Sequence, residues 1–217
     1  FKQKKNFLPD FFFSIQIVAA IYFGIIQVGT LLNSVKGASI TWIGFWFIFV
    51  FLNLTLTMGA YKKLPDRVML QAVVNYAAWT IVIGLSFIVL IYNNASWNTI
   101  DTFTAFIAAV GFFVIILVSR KRGIPSQDPV IKGMSALLLK AVPQCTLAFN
   151  IWINGGDGIA LYTIIIGHVI INVRIGQVLI SVKKSGWDRH RASVVVGEVG
   201  NEVSWVIASV VWFAVMY

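Results

Sequence analysis

Charged residues are scarce in this chain. Only 12% of its 217 residues are Asp, Glu, Lys or Arg, whereas 59% are hydrophobic. A soluble domain carries about a quarter of its residues as charged side chains. The chain has too few polar groups to cover a water-soluble globule, so the composition predicts an integral membrane protein in contact with the lipid bilayer.

Cysteine and the motifs of common enzymes are scarce as well. The single cysteine, Cys145, lies in an apolar run, so it forms no intrachain disulfide and we expect a buried, inert thiol. No His, Cys and carboxylate set has metal-ligand spacing, and no glycine-rich loop follows a strand and opens a helix. We therefore expect neither an enzyme nor a metal or cofactor site. The last apolar run contains no lysine for a Schiff base, which argues against a retinal protein.

Seven long apolar runs dominate the sequence. A helix needs about 20 mostly apolar residues to cross a bilayer. The runs are 11–33, 38–60, 68–92, 99–119, 129–152, 158–182 and 192–217. They are too long and too continuously apolar for the strands of a β-barrel. The sequence therefore predicts an all-α polytopic protein, a single transmembrane domain over 1–217 with seven helices, here called spans 1 to 7.

The basic residues are distributed asymmetrically between the loops. One set of alternate loops and helix ends holds Lys2, Lys4, Lys5, Lys62, Lys63, Arg67, Arg120, Lys121, Arg122, Lys132, Lys183, Lys184, Arg189 and Arg191. The other set holds Lys36. The positive-inside rule then places the N-terminus in the cytoplasm and the C-terminus outside. This topology accounts for the net charge of +9 without a nucleic-acid partner. The short loops favour a plasma or prokaryotic inner membrane.

Spans 1–3 (11–92) and spans 5–7 (129–217) share several polar positions in the same order. The matches are Gln27 and Asn33 with Gln144 and Asn150, Asn53 with Asn172, Lys62-Lys63 with Lys183-Lys184, and Asn75-x-x-x-Trp79 with Asn201-x-x-x-Trp205. This order predicts a duplication of a three-helix unit, with span 4 (99–119) as the linker. An odd number of linking helices leaves the two repeats parallel.

The segment Lys140-Ala-Val-Pro143-Gln144 resembles the Pro-Gln signature of PQ-loop proteins. With the three-plus-one-plus-three layout, the chain resembles the SWEET and PQ-loop transporter superfamily, including SWEET-like vitamin transporters and lysosomal amino-acid exporters. The resemblance implies that Asn75 and Asn201 line a central solute site, and it allows a homo-oligomer. Two features depart from the family. Ile26 stands where Pro would precede Gln27, and the cytoplasmic N-terminus differs from that of eukaryotic SWEETs.

Polar and aromatic residues of spans 3 and 7 recur at helical spacing. Each set falls on one helix face: Gln71, Asn75 and Trp79 in span 3, and Glu198, Asn201, Glu202 and Trp205 in span 7. Amides donate and accept hydrogen bonds, and indole rings stack on sugars or heterocycles. We therefore expect a site for a small polar solute that contains a ring. The alternative role for the amides is hydrogen bonding between helices.

Two carboxyl groups lie deep in span 7. Glu198 and Glu202 are costly at membrane depth unless they are paired or protonated. The available partners are Lys140 in span 5 and Arg174 in span 6, and His168 lies one turn before Asn172. These residues form either a buried ion pair that fixes packing, or a proton relay or a site for a cationic group.

Pro143 removes a backbone hydrogen bond within span 5 and should kink it. We expect this kink to act as a hinge or a static bend, with Gln144 either lining the solute path or bonding the freed carbonyl. The leading hypothesis is a carrier for a sugar, a nucleoside or vitamin, or an amino acid, working by facilitated diffusion or proton coupling. The alternatives are a ligand-binding receptor or an accessory subunit of a membrane complex.

Overall fold

The computed structural model describes residues 7–63, 65–125 and 128–217, and this part of the chain is helical with no strands. Seven helices are long and apolar enough to cross a membrane. Six spans are single α-helices: Phe7–Asn33, Ile40–Lys63, Arg67–Tyr92, Thr99–Lys121, Leu161–Ser185 and Arg189–Met216. Span 5 combines an α-helix (Pro129–Ala136), a π-helical turn (Leu137–Ala141) and a second α-helix (Val142–Asn154). The predicted all-helical, seven-span membrane protein is confirmed.

Short polar side chains mark where several helices begin. Asp66 accepts a hydrogen bond from Val68 N, and Asp128 accepts one from Val130 N. Asn98 and Asp101 form a reciprocal capping box at the start of span 4. These caps satisfy the free N–H groups of a first helical turn, so each span begins directly after a polar break.

The outer surface of the bundle is apolar. Large side chains such as Val18, Ile25, Phe103 and Phe106 are exposed there, as expected for a surface that faces lipid. Cys145 is also exposed on this surface, so the expectation of a buried thiol is wrong. An apolar run does not show which of its residues face lipid and which face the protein interior, because both environments exclude water.

The spans pack as two groups of three. Span 3 packs against spans 1 and 2, and span 7 packs against spans 5 and 6. The groups meet where span 1 contacts span 6 and where span 2 contacts span 5. Span 4 packs against spans 5 and 2. Buried residues of both groups, including Phe23, Trp42, Leu147 and Trp205, form one continuous core.

The two ends of the bundle differ in charge. We call the end that carries Lys62, Lys63 and Arg67 the basic end; Arg120 and Lys121, at the end of span 4, lie there too. The opposite end carries the loops 34–39, 93–98 and 155–160. Lys2, Lys4 and Lys5, which contribute to the predicted orientation, lie outside the described residues, and so does the side chain of Lys184.

Candidate functional site

A small cavity lies at the middle of the bundle, between six of the seven spans. Its lining consists of Phe23, Trp46, Phe49, Val50, Tyr76, Trp79, Lys140, Gln144, Gly167, Ile170, Ile171, Arg174, Asn201 and Trp205. Its volume is about 40 Å³. A water molecule needs roughly 10–15 Å³ of such space, so this central cavity holds only a few waters. Six of its residues are sequence-predicted site residues: Trp79, Lys140, Gln144, Arg174, Asn201 and Trp205.

Four indole rings lie in a row, the indole ladder Trp79–Trp46–Trp42–Trp205, in which two stacked pairs meet at a tilted contact between Trp42 and Trp46. Trp46 stacks on Trp79 with ring centroids 5.5 Å apart, and Trp42 stacks on Trp205 at 5.7 Å. The centroids of Trp42 and Trp46 are 5.6 Å apart. The edge of Phe23 packs against Trp46 and Trp79 at 5.4 Å. Spans 2, 3 and 7 thus supply one aromatic wall, suited to a flat solute.

Gln144 and Asn201 form a buried amide pair beside the cavity. Gln144 Nε2 donates to Asn201 Oδ1 at 3.0 Å, and Ser204 Oγ donates to Gln144 Oε1. The Gln144 amide therefore bonds to span 7 rather than to the carbonyl freed by Pro143. Asn201 also lies 3.5 Å from Glu198, measured from Nδ2 to Oε2.

Glu198 lies in a cluster with two cations. Its Oε1 is 3.2 Å from Arg174 Nη1, and its Oε2 is 3.9 Å from Lys140 Nζ. Lys140 also lies over the Phe49 ring at 5.4 Å, and Arg174 lies over the Tyr76 ring at 6.0 Å. The aromatic faces add attraction for both cations. Glu198, Arg174 and Lys140 thus form an ion cluster of one carboxylate and two cations.

Glu202 has a different set of partners. Its Oε1 is 2.7 Å from His168 Nδ1 and accepts from Asn172 Nδ2 at 3.0 Å. The other His168 nitrogen is 3.0 Å from Ser209 Oγ. The expectation that Glu202 could share Lys140 and Arg174 is not met, because one helical turn places it about 6 Å further along span 7.

Asn75 and Gln71 lie in a second cavity of about 240 Å³, the amide cavity. Asn75 Nδ2 donates to Gln16 Oε1 at 2.9 Å, and Gln16 Nε2 donates to Gln177 Oε1 at 3.1 Å. Gln71 Nε2 donates to Asp10 at 2.7 Å. Asn75 and Asn201 therefore do not share the central cavity, because each pairs with an amide of its own group of three spans.

A third cavity of about 380 Å³, the entrance cavity, lies between spans 2, 3, 5 and 7. It is lined by Asp66 and Lys132 near the basic end and by Glu198 at its deeper part. Tyr76 lines the central, amide and entrance cavities, and Arg174 lines the central and amide cavities. The larger spaces therefore adjoin the central cavity from the basic end.

The opposite end of the bundle is closed by contacts between loops. Gly158 N donates to Lys36 O at 2.8 Å, and Gln27 Nε2 donates to Gly158 O at 2.8 Å. Trp212 Nε1 lies 3.0 Å from the carbonyl oxygens of Gly156 and Ile159. The Gly158–Lys36 bond joins the loop between spans 1 and 2 to the loop between spans 5 and 6, and Gln27 and Trp212 tie the second loop to spans 1 and 7.

Two glycines allow these loops to meet. Gly37 and Gly155 have φ angles of +75° and +92°, which other residues rarely adopt. A Cβ atom on Gly37 would lie 1.8 Å from Gly155 O. A side chain at Gly37 would therefore separate the loops.

Asp101 is fully buried at the same end. Its carboxylate accepts hydrogen bonds from Ser39 Oγ at 2.8 Å, from Thr41 Oγ1, and from Asn150 Nδ2 at 3.4 Å. Asn98 Nδ2 also donates to Asn150 Oδ1. This network connects spans 2, 4 and 5 beside the closed loops.

The π-helical turn Leu137–Ala141 directly precedes Pro143. At its end, Val142 N donates to Leu137 O, one residue further back than in an α-helix. A proline lacks an N–H and its ring crowds the carbonyl four residues earlier, so a wider turn relieves the clash. Span 1, which has Ile26 at the corresponding position of the motif, is α-helical throughout.

Sequence reasoning missed three residues of the site and its surroundings. Trp46 follows Trp42 by four residues, a spacing that places both rings on one face of span 2. Gln16 carries no such signal, because a lone amide near the start of a span has no recognisable pattern. Asp101 was signalled by Asn98-x-x-Asp101, the spacing of a capping box.

The fold and cavities define a class: a seven-span membrane protein with a polar and aromatic cavity between its helices. Within the residues that the structure describes, no group of three or more His, Cys, Asp or Glu side chains could hold a metal ion. No protein family, curated protein or solved structure matches the chain.

Proposed function

We propose that the protein is a membrane carrier for a small polar solute and works by alternating access. The observation that carries the proposal is the position of the cavities. The central cavity is covered by loop contacts toward the opposite end, while cavities of about 240 and 380 Å³ adjoin it toward the basic end. A carrier requires a site near mid-membrane that is reached from one side at a time.

The residues of the central cavity suit a solute with a ring and polar substituents. Trp46, Trp79 and Trp205 offer flat apolar faces, and Gln144 and Asn201 offer amide donors and acceptors. The volume of about 40 Å³ is too small for such a solute, so binding must accompany movement of the spans. The solute class stays among sugars, nucleosides or vitamins, and amino acids.

The packing of the spans supports two parallel repeats. Span 3 packs against both other spans of its group, and span 7 does the same. The contacts between groups also correspond, because span 1 meets span 6 and span 2 meets span 5. Rocking of one group against the other would open one end while closing the other. The Pro143-Gln144 motif and this layout support the proposed relation to SWEET and PQ-loop carriers.

The basic end is proposed to face the cytoplasm of a plasma or inner membrane, so this conformation is inward-facing. The Glu202–His168 pair is the candidate site for proton coupling, since both groups can exchange a proton and they lie 2.7 Å apart. Facilitated diffusion, without a coupled proton, is the alternative mode.

Uptake by proteoliposomes tests the proposal. Labelled sugars, nucleosides, vitamins and amino acids should be supplied at acidic and neutral pH, with and without a proton gradient. We expect uptake of at least one class, abolished by Asn201→Ala and by Trp205→Ala. Asn33→Ala is the matched control, because Asn33 is exposed and its amide donates to Gly29 O within its own helix.

Two results would redirect the proposal. Saturable binding without uptake of any solute would identify a receptor. A protein that binds no solute and co-purifies with another membrane protein would identify an accessory subunit.

A further inference from the structure

The charged groups around the central cavity are unbalanced. Among the described residues, those that line it are Lys140 and Arg174, both cations. Glu198 contacts both of them but lines the entrance cavity. Glu202, one turn away, is held by His168 and Asn172. One carboxylate therefore faces two cations, and the wall of the central cavity is positive.

An excess charge at membrane depth is costly and marks the site of a partner or substrate. A second anion beside Lys140 and Arg174 would remove the excess. Arg174 has five N–H donors in a planar fork that matches a carboxylate, and its contact with Glu198 uses the Nη1 atom. Its guanidinium is therefore equipped to bind a second carboxylate.

The route from the basic end leads to the same side chain. Arg174 lines the amide cavity together with Gln16, Asn75 and Gln177. In the described structure Asn75 is buried and its Oδ1 has no hydrogen-bond partner. An anion arriving through this cavity meets Arg174 before it reaches Lys140, and a hydroxyl or N–H group of the same molecule can donate to Asn75 Oδ1.

We infer that the transported solute is a small organic anion, with a carboxylate on a flat ring. Arg174 and Lys140 bind its carboxylate, and Trp46 and Trp79 contact its ring. This inference rests on the proposed carrier function and narrows its solute class. Neutral sugars and cationic solutes are disfavoured by the same two cations.

Three ring compounds of one shape and different charge test this inference. Benzoate, benzamide and benzamidinium are anionic, neutral and cationic versions of the same flat molecule. Thermal unfolding of the detergent-purified protein is measured with each, at equal ionic strength set with sodium chloride. We expect benzoate to raise the melting temperature and the other two to leave it unchanged, because only a ligand that binds the folded state stabilises it.

Variants of the ion cluster sharpen the test. Arg174→Gln should abolish the benzoate shift, and Lys63→Gln, which removes an exposed cation at the basic end, should keep it. Glu198→Gln removes the competing carboxylate and should give a larger benzoate shift than the wild type. A purely structural role of Glu198 predicts no such gain. If the Glu198→Gln protein does not fold, the loss or retention of the benzoate shift in Arg174→Gln decides the test.

Equal stabilisation by benzoate and benzamide would overturn the inference, and so would stabilisation by none of the three compounds. The carrier proposal would survive either result if the uptake panel shows flux of a neutral solute. Conversely, a benzoate shift lost in Arg174→Gln, with no uptake of any solute, would support the anion site and contradict the carrier.

Discussion

Buried amides pair between the first and third spans of each group. Gln16 bonds to Asn75, and Gln144 bonds to Asn201. In a bilayer an unpaired amide has no water to bond, so each pair holds two helices in register. The sequence predicted both asparagines and Gln144. The sequence pattern matched Gln27 to Gln144. In the structure, however, Gln16 is the residue of span 1 that bonds to Asn75, as Gln144 bonds to Asn201.

The buried Asp101 carboxylate is expected to be a large contributor to stability. Asp101→Asn replaces a carboxylate that accepts several hydrogen bonds with a neutral amide. The NH2 group of that amide donates and cannot accept. We expect a loss of about 1.5–3 kcal/mol in the free energy of unfolding, the usual range for hydrogen bonds to a charged group. Reversible chemical unfolding in detergent measures it.

Asp157→Asn is the matched control for this change. Asp157 is an exposed residue of the loop between spans 5 and 6, at the same end of the bundle. The Asp157→Asn protein should unfold at the same denaturant concentration as the wild type. An equal effect of the two substitutions would show that the Asp101 network contributes nothing specific.

Gly37→Ala should weaken the closed loops. The substitution introduces a Cβ into a left-handed backbone and toward Gly155 O. Such strain costs about 1–3 kcal/mol. Gly29→Ala is the control: among the described residues, no atom outside its own helix backbone lies within 4 Å of the added Cβ, and an alanine inside a helix should stabilise by about 0.5–1 kcal/mol. Thermal unfolding of both proteins compares the two effects, and a stable Gly37→Ala protein would contradict the described loop contact.

At the scale of single elements, span 5 differs from span 1. The kink expected at Pro143 takes the form of a π-helical turn, whereas span 1 is a regular helix. Such turns inside helices are common at functional sites. The turn contains Lys140 and precedes Gln144, so it aims both side chains at the central cavity.

Pro143→Ala removes the physical cause of this turn. We expect span 5 to straighten, the backbone amides around Leu137–Ala141 to gain protection from hydrogen exchange, and uptake to fall several-fold. Pro125→Ala, at an exposed position outside the spans, should change neither quantity. Unchanged exchange and uptake in Pro143→Ala would show that the π-helical turn does not depend on the proline.

The limits of each span followed closely from the sequence, since charged and polar breaks end an apolar run sharply. Span 4 was predicted over 99–119 and extends over Thr99–Lys121. The rotation of each helix was harder to predict. Trp46 faces inward within a uniformly apolar segment of span 2, and Cys145 faces outward although both of its neighbours, Gln144 and Thr146, are buried. An apolar side chain is equally compatible with lipid and with the protein interior, so its residue type does not predict which of the two it faces.

Pairing between spans was the other limit. The sequence named Lys140 and Arg174 as partners for either glutamate, and only the packing of spans 5, 6 and 7 assigns both to Glu198. Likewise, nothing in the local pattern showed that Asn75 and Asn201 would line different cavities. Contacts between distant segments depend on helix packing, which a single sequence does not fix.

For the whole molecule, the proposed orientation predicts which loops a reagent can reach. In a Cys145→Ser background, Asp157→Cys places a thiol at the opposite end and Lys121→Cys places one at the basic end. In intact cells a membrane-impermeant maleimide should label the first, and it should label the second only after permeabilisation. The reverse labelling would invert the orientation.

The indole ladder spans the boundary between the two groups of helices, because Trp42 belongs to span 2 and Trp205 to span 7. Stacked indoles couple their electronic transitions, and the resulting circular dichroism in the near ultraviolet depends on the distance and angle between the rings. Any rocking between the groups changes that geometry. The near-ultraviolet circular dichroism of the indole ladder is therefore an intrinsic spectroscopic probe of conformation, which can be followed in real time without an attached label.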